Sequence, residues 1–222
     1  MQQRTRLILL CALACTCAQA APALSSAQQA QLDRAVLDYE AGRMASARRA
    51  FETLSTRRVP AADYNLAVMH LRKEVPQADA ARGRRLLERA ARGGFVTAQV
   101  ALARALENGE LGPRDLPQAH RWYALAAQAG NVEAQLAMGT AHYLGRGLDK
   151  DPARAAHWFR EAAKGGDVGA MYLLASMYEQ GDGVERDLRL ARYWYAAAAG
   201  NGDVAAPDKV KELDALLASV PG

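Results

Sequence analysis

Trp122, Trp158 and Trp194 stand 36 residues apart, and they are not alone in keeping that interval. Ala98, Ala134, Ala170 and Ala206 keep it, as do Gly109, Gly145 and Gly181, and Gly130, Gly166 and Gly202. So do Asp115, Asp151 and Asp187, Ala119, Ala155 and Ala191, and the pairs Ala126-Ala127, Ala162-Ala163 and Ala198-Ala199. A spacing shared by so many columns without an inserted residue marks internal repetition. A period in the thirties is that of helix pairs stacked layer on layer. Half of the residues are apolar but only 6% are aromatic, and many are alanine, which favours closely packed helices over sheet.

The stop and start signals recur on the same schedule. A first helix of about eleven residues ends where Gly109, Gly145 or Gly181 can turn left-handed. Asp115, Asp151 and Asp187 are placed to cap the second helix, with Pro152 at its first turn. The second helix carries the Trp, an aromatic neighbour (Tyr123, Phe159, Tyr195) and Ala-Ala, and stops at Gly130, Gly166 or Gly200. Asn131, Asp167 and Asp203 are placed to cap the next first helix. One period earlier the phase persists through Ala62, Asp79, Ala90, Ala91, Gly94 and Val96, but Leu86 stands in the Trp column and Lys73 in the loop-glycine column. The Trp column, as the largest side chain per copy, is expected in the core, with Trp158→Ala costing about 3–5 kcal/mol.

Both flanks read as helical. A helix from about Gln28 to Glu40 is broken at Gly42, and a second runs from about Met44 to Ser55, with Pro60 closing the unit. From Pro207 to about Ala218, Val210, Leu213, Leu216 and Leu217 form one apolar stripe beside Lys209, Lys211, Glu212 and Asp214, as a terminal lid requires. Residues 1–20 read as a secretory signal: Arg4 and Arg6, an apolar run from Leu7 to about Cys17, then Ala18-Gln19-Ala20 for cleavage. A membrane anchor is the alternative, and Ala12-Leu13-Ala14-Cys15 is a weaker match to a lipoprotein box. All three cysteines, Cys11, Cys15 and Cys17, lie in this segment, so cleavage leaves a chain without disulfides or thiolate metal sites.

Without Arg4 and Arg6 the chain has 26 basic and 24 acidic residues, too even a balance for a nucleic-acid binder. The excess of base lies in the front half and includes Arg82, Arg84, Arg85, Arg89 and Arg92 on one helix. That helix is either a solvated outer face or a dock for an acidic partner or anionic headgroups. Chemistry is scarce. No serine falls in S-x-x-K, and no G-x-S-x-G, H-E-x-x-H or phosphate loop occurs. His70 and His142 share a column with Leu106 and Tyr178, which points to packing, while His120 and His157 are expected on a solvated face. Neither a cofactor nor a metal is expected.

The columns Ala134, Met138-Gly139, His142, Gly145, Gly147-Leu148, Asp151, Ala155, Trp158-Phe159, Ala162-Ala163 and Gly166 resemble the Sel-1-like repeat, a relative of the tetratricopeptide repeat. The copy with Tyr178, Gly181-Asp182-Gly183-Val184 and Trp194-Tyr195 is nearest to that pattern, and the copy with Leu111-Gly112-Pro113 departs in its loop. Tyr39-Glu40-Ala41-Gly42-Arg43, Ala47 and Phe51-Glu52 resemble the turn and second helix of a tetratricopeptide repeat. The resemblance implies an all-α, right-handed α/α solenoid of antiparallel helix pairs. Its parts would be an N-terminal hairpin (21–61), four Sel-1-like repeats (62–97, 98–133, 134–169, 170–205) and a C-terminal capping helix (206–222). It implies a non-catalytic, exported adaptor, periplasmic or secreted, that binds a protein or peptide in a concave groove lined by the first helices. Phase against the Leu-Gly column nominates Tyr64, Val68, Arg72, Val100, Arg104, Asn108, Leu136, Thr140, Tyr143, Tyr172, Ser176 and Glu179 for that groove. A cysteine-rich branch of the family, linked to β-lactam binding, suggests the rival reading of a weak envelope hydrolase or cell-wall-fragment binder. This chain lacks that branch's cysteines.

Overall fold

The computed structural model describes residues 24–219, so the expected signal segment and its cysteines lie outside the described residues. The described residues form eleven helices and no strand. The order is α1 Ser26–Glu40, α2 Met44–Thr56, α3 Pro60–Leu71, α4 Ala80–Arg92, α5 Val96–Asn108 and α6 Leu116–Gln128. It continues with α7 Val132–Leu144, α8 Pro152–Lys164, α9 Val168–Gln180, α10 Leu188–Gly200 and α11 Ala206–Ser219. Each helix packs chiefly on the one before and the one after it in the chain. The result is a layered stack of helix pairs, with odd-numbered first helices and even-numbered second helices.

The ends are set by the groups expected to set them. Asp115, Asp151 and Asp187 accept from backbone N–H groups of α6, α8 and α10, and Asn131 and Asp167 accept from those of Ala134 and Ala170. Asp203, in the same column as Asn131 and Asp167, accepts from Ala206, and α11 follows as the last of the first helices, starting two residues later than the period alone would place it. Gly109, Gly145 and Gly181 end α5, α7 and α9 in the left-handed region. Lys73 holds that conformation in the first copy at φ 59°, so the backbone path is kept without glycine. The first helices span thirteen residues in α5, α7 and α9, longer than the eleven expected. Pro60 does not close the first unit: it opens α3, where its missing donor costs nothing.

The core corrects the expectation for the tryptophans. Trp122, Trp158 and Trp194 are half-buried, whereas their neighbours Tyr123, Phe159 and Tyr195 are at most 4% exposed. Successive helix residues point about 100° apart, so only one of two adjacent aromatics can aim straight at the partner helix. The second of each pair takes that direction, and the indole lies over the rim of the cluster. Opposite Phe159 stands Gly139, where a Cβ would lie 2.6 Å from the ring. The same column elsewhere holds Ala67, Ala103 and Ala175, all fully buried.

The arginine-rich helix α4 is tied to its neighbours in part. Arg89 pairs with the buried Asp63, Arg84 and Arg92 with Glu88, and Arg85 with Asp79. Arg84 also donates to the Leu111 carbonyl in the next repeat. Arg84 and Arg92 share one carboxylate, and Arg85 and Arg92 are 68% and 62% exposed, so α4 keeps part of its basic face.

Candidate functional site

The face built from the first helices is stepped. Between each first helix and the next lies an interval floored by the second helix of the same pair, and corresponding columns line every interval. The first interval, between α3 and α5, is an open cleft of about 220 Å³ lined by Tyr64, Val68, Leu71, Leu87, Ala101 and Ala105, with Arg72, Arg104 and Glu110 among its polar residues. The second, between α5 and α7, is a cleft of about 260 Å³ whose lining adds Glu107, His120, Tyr123, Glu133, Thr140 and Arg146 to the apolar wall of Leu136, Ala137 and Ala141. Tyr123 donates to Glu107 at 3.0 Å, and Arg146 meets the same carboxylate at 3.2 Å. Arg104 and Glu133 face each other at 3.6 Å, both more than half exposed.

One column explains why these two intervals are open. Ala101 and Ala137 stand in the first and second, Leu173 in the third and Lys209 in the fourth. In the third, Tyr143 packs on Phe159 with ring centroids 6.2 Å apart, and Tyr172 of α9 packs on Tyr195 at the floor of the fourth at 5.0 Å. In the fourth, Glu179 accepts from Tyr195 at 2.8 Å and from Lys209 of α11 at 3.0 Å. Burial and the neighbouring carboxylate push the phenols of Tyr123 and Tyr195 well above the ordinary tyrosine range.

The groove residues named from phase are therefore divided. Tyr64, Val68, Arg72 and Arg104 come together in the first cleft, and Leu136 and Thr140 line the second. Tyr143 and Tyr172 are half-buried stacking residues, Ser176 accepts from Gln180, and Asn108 is exposed beside Glu110. Val100 does not face the groove: it is 5% exposed within the cluster that holds Tyr123 and Met138. Glu179 is engaged by Tyr195 and Lys209. Phase alone missed Leu71, Glu107, His120, Tyr123 and Arg146. The signal for them lay in paired columns: Glu107 with Tyr123 and Glu179 with Tyr195, against Tyr143 with Phe159 and Leu71 with Leu87.

The histidines are mostly inside. His70 and His142 are buried, as their column indicated, and His70 Nδ1 accepts from the Asp79 N–H. His120 is buried as well, 6% exposed, and not on a solvated face. The Gly147 turn lies against it, a close approach in which a Cβ at 147 would sit 2.9 Å from the ring. His157 is the exposed one, edge-on to Trp158. Desolvation lowers the pKa of His70 and His120, so both stay neutral in the fold while the unfolded chain takes up protons near pH 6.5. Their contribution is complete above that pH and is lost as the pH falls below it. The melting temperature is therefore expected to drop between pH 7.5 and 5.5. His70→Leu with His120→Ala, which copy Leu106 and Ala156 at the equivalent positions, should flatten the drop. An unchanged pH profile in the double variant would assign the loss to other groups.

Among the described residues there is no cluster of three or more potential metal ligands, and no helix is long and apolar enough to cross a membrane.

Helix pairs stacked in constant phase, with an open stepped face along the first helices, define an α/α solenoid. The chain belongs to the Sel1 repeat family: the family model matches residues 60–95, 96–131, 132–167 and 168–203, each window opening on the first residue of a first helix. A protective antigen present in uropathogenic Escherichia coli strains, displaying an SLR fold, is similar at 26% identity with a TM-score of 0.77. That match covers 86% of this chain and 42% of the antigen, so the chain spans less than half of that protein's length. A Sel1 repeat protein from Oxalobacter formigenes is similar at 36% identity and a TM-score of 0.54, over 57% of this chain and 95% of that one. No curated protein matches the chain. Sel1 repeat proteins generally mediate protein–protein interaction and are typically non-catalytic scaffolds.

Proposed function

We propose that this chain is a non-catalytic, exported scaffold of the bacterial cell envelope that holds a partner protein against the face of its first helices. The observation that carries this reading is the pair of adjoining clefts, each mixing apolar walls with charged side chains, with Ala101 and Ala137 at the same column of successive repeats. An extended polypeptide can run across both and place one side chain in each, whereas a small molecule would find neither enclosed. Tyr64, Arg72, Arg104 and Tyr123 supply the residue types that most often anchor interfaces. Export is supported by the basic, then apolar, then small-residue order of residues 1–20.

The test is site-specific photo-crosslinking in envelope fractions. A crosslinker at position 104 or 140 should capture a partner that one at Arg121, exposed on α6, does not. Tyr64→Ala combined with Arg104→Glu should lower recovery at least tenfold. Equal capture from position 121, or recovery untouched by the double variant, would sink the reading. The mature amino terminus is expected at Ala21, and a full-length chain retained in the cytoplasm would remove the envelope assignment.

A further inference from the structure

We infer that the second cleft is a socket for a lysine side chain of the bound polypeptide. The inference rests on the first-helix face being the one that holds a partner, and it adds the chemistry of one contact. The fold carries its own template. In the fourth interval a glutamate on a first helix, Glu179, accepts from the phenol of Tyr195 on the following second helix. The ammonium of Lys209, from the next helix in the stack, enters beside that phenol and reaches the same carboxylate at 3.0 Å. In the second interval Glu107 and Tyr123 occupy the equivalent positions and make the equivalent hydrogen bond. The position equivalent to Lys209 is Ala137, and the space is a cleft of about 260 Å³. One half of an ammonium site is thus built twice: its carboxylate is met by Lys209 in the fourth interval and by the half-exposed guanidinium of Arg146, from the loop after α7, in the second.

The surroundings of the open copy suit a cation. A second carboxylate, Glu133, lines the cleft with the Thr140 hydroxyl, and the lining includes His120, whose buried Nδ1 has no hydrogen-bond partner. An ammonium brings three donors and no acceptor, so it needs a set of acceptors of this kind. The arginines already present are rim groups. Arg146 is 49% exposed and Arg104 is 58% exposed where they meet Glu107 and Glu133. Arg104 and Glu133 form an exposed pair of the kind that contributes little, so that guanidinium can move aside, whereas Arg146 has to share the part-buried Glu107 carboxylate with an incoming ammonium. Leu136 and Ala137 offer an apolar wall for the methylene stem, as long cationic side chains prefer.

The experiment selects peptides from a randomised display library on the purified full chain. Each recovered peptide is resynthesised with its lysines acetylated, which removes the charge and keeps most of the stem. Lysine-containing peptides are expected to bind and to weaken at least tenfold on acetylation. Ala137→Lys, which installs the filling residue of the fourth interval, should weaken them by a similar factor, as should the isosteric Glu107→Gln. If Ala137→Lys melts early, Glu107→Gln carries the comparison. Recovery of no lysine-dependent peptide, or binding indifferent to acetylation and to both substitutions, overturns the inference. The two readings fail differently. Peptides that crosslink to the first-helix face yet ignore acetylation remove the socket and leave the scaffold face standing. Peptides that crosslink only to outer residues such as Arg121 remove both.

Discussion

Replacing Phe159 with alanine is expected to cost about 3–5 kcal/mol, the range for deleting a fully enclosed aromatic side chain. The ring is 1% exposed and pressed against Gly139, whose missing Cβ makes the room for it. The cluster around it combines alanines fixed on helix backbones with Tyr143, whose ring centroid lies 6.2 Å away, so the space can close only in part. Trp158→Ala removes a larger side chain that is only half-buried, and about half that loss is expected from the apolar area involved. Urea unfolding of the two variants ranks them. A larger loss for Trp158→Ala would return the indoles to the centre of the core and reverse the roles of the two aromatics in each layer.

Arg89→Ala should be nearly as damaging, at about 3 kcal/mol, for an electrostatic reason. Asp63 is 2% exposed on α3, and its carboxylate is met by Arg89 Nε at 2.6 Å, by a second nitrogen of the same guanidinium, and by the Ser55 hydroxyl at 2.6 Å. The three residues tie α2, α3 and α4 together where the N-terminal hairpin meets the first repeat. Truncating the arginine leaves a buried carboxylate with one neutral donor, and such orphaned charges are costly. Asp63→Met with Arg89→Leu should recover most of the loss, since Met171 and Leu125 occupy those columns in other repeats. A double-mutant cycle with a coupling below about 0.5 kcal/mol would show that the pair is ornamental.

Much of this architecture was legible before any coordinates. The 36-residue period announced layers, and the caps fell where Asp, Asn and Gly required them, because a helix end depends on groups within a few residues. Pro60 was misjudged, since proline both ends a segment and opens a helix, and only the following backbone shows which. The face was legible in part. Phase placed Tyr64, Val68, Arg72 and Arg104 together, but it also placed Val100 and Glu179 there. The first is sealed into a cluster, and the second is held by a lysine thirty residues away.

By itself the sequence determined the repeat, its length, the caps at most helix ends and hence the stacking of pairs, all of which follow from local signals recurring at one interval. Tertiary structure alone decided which of two adjacent aromatics is enclosed, which histidines are dry, and which intervals stay open. Those outcomes turn on what stands across the gap. An alanine at 137 and a lysine at 209 look alike as helix formers, yet one leaves a cleft and the other fills it.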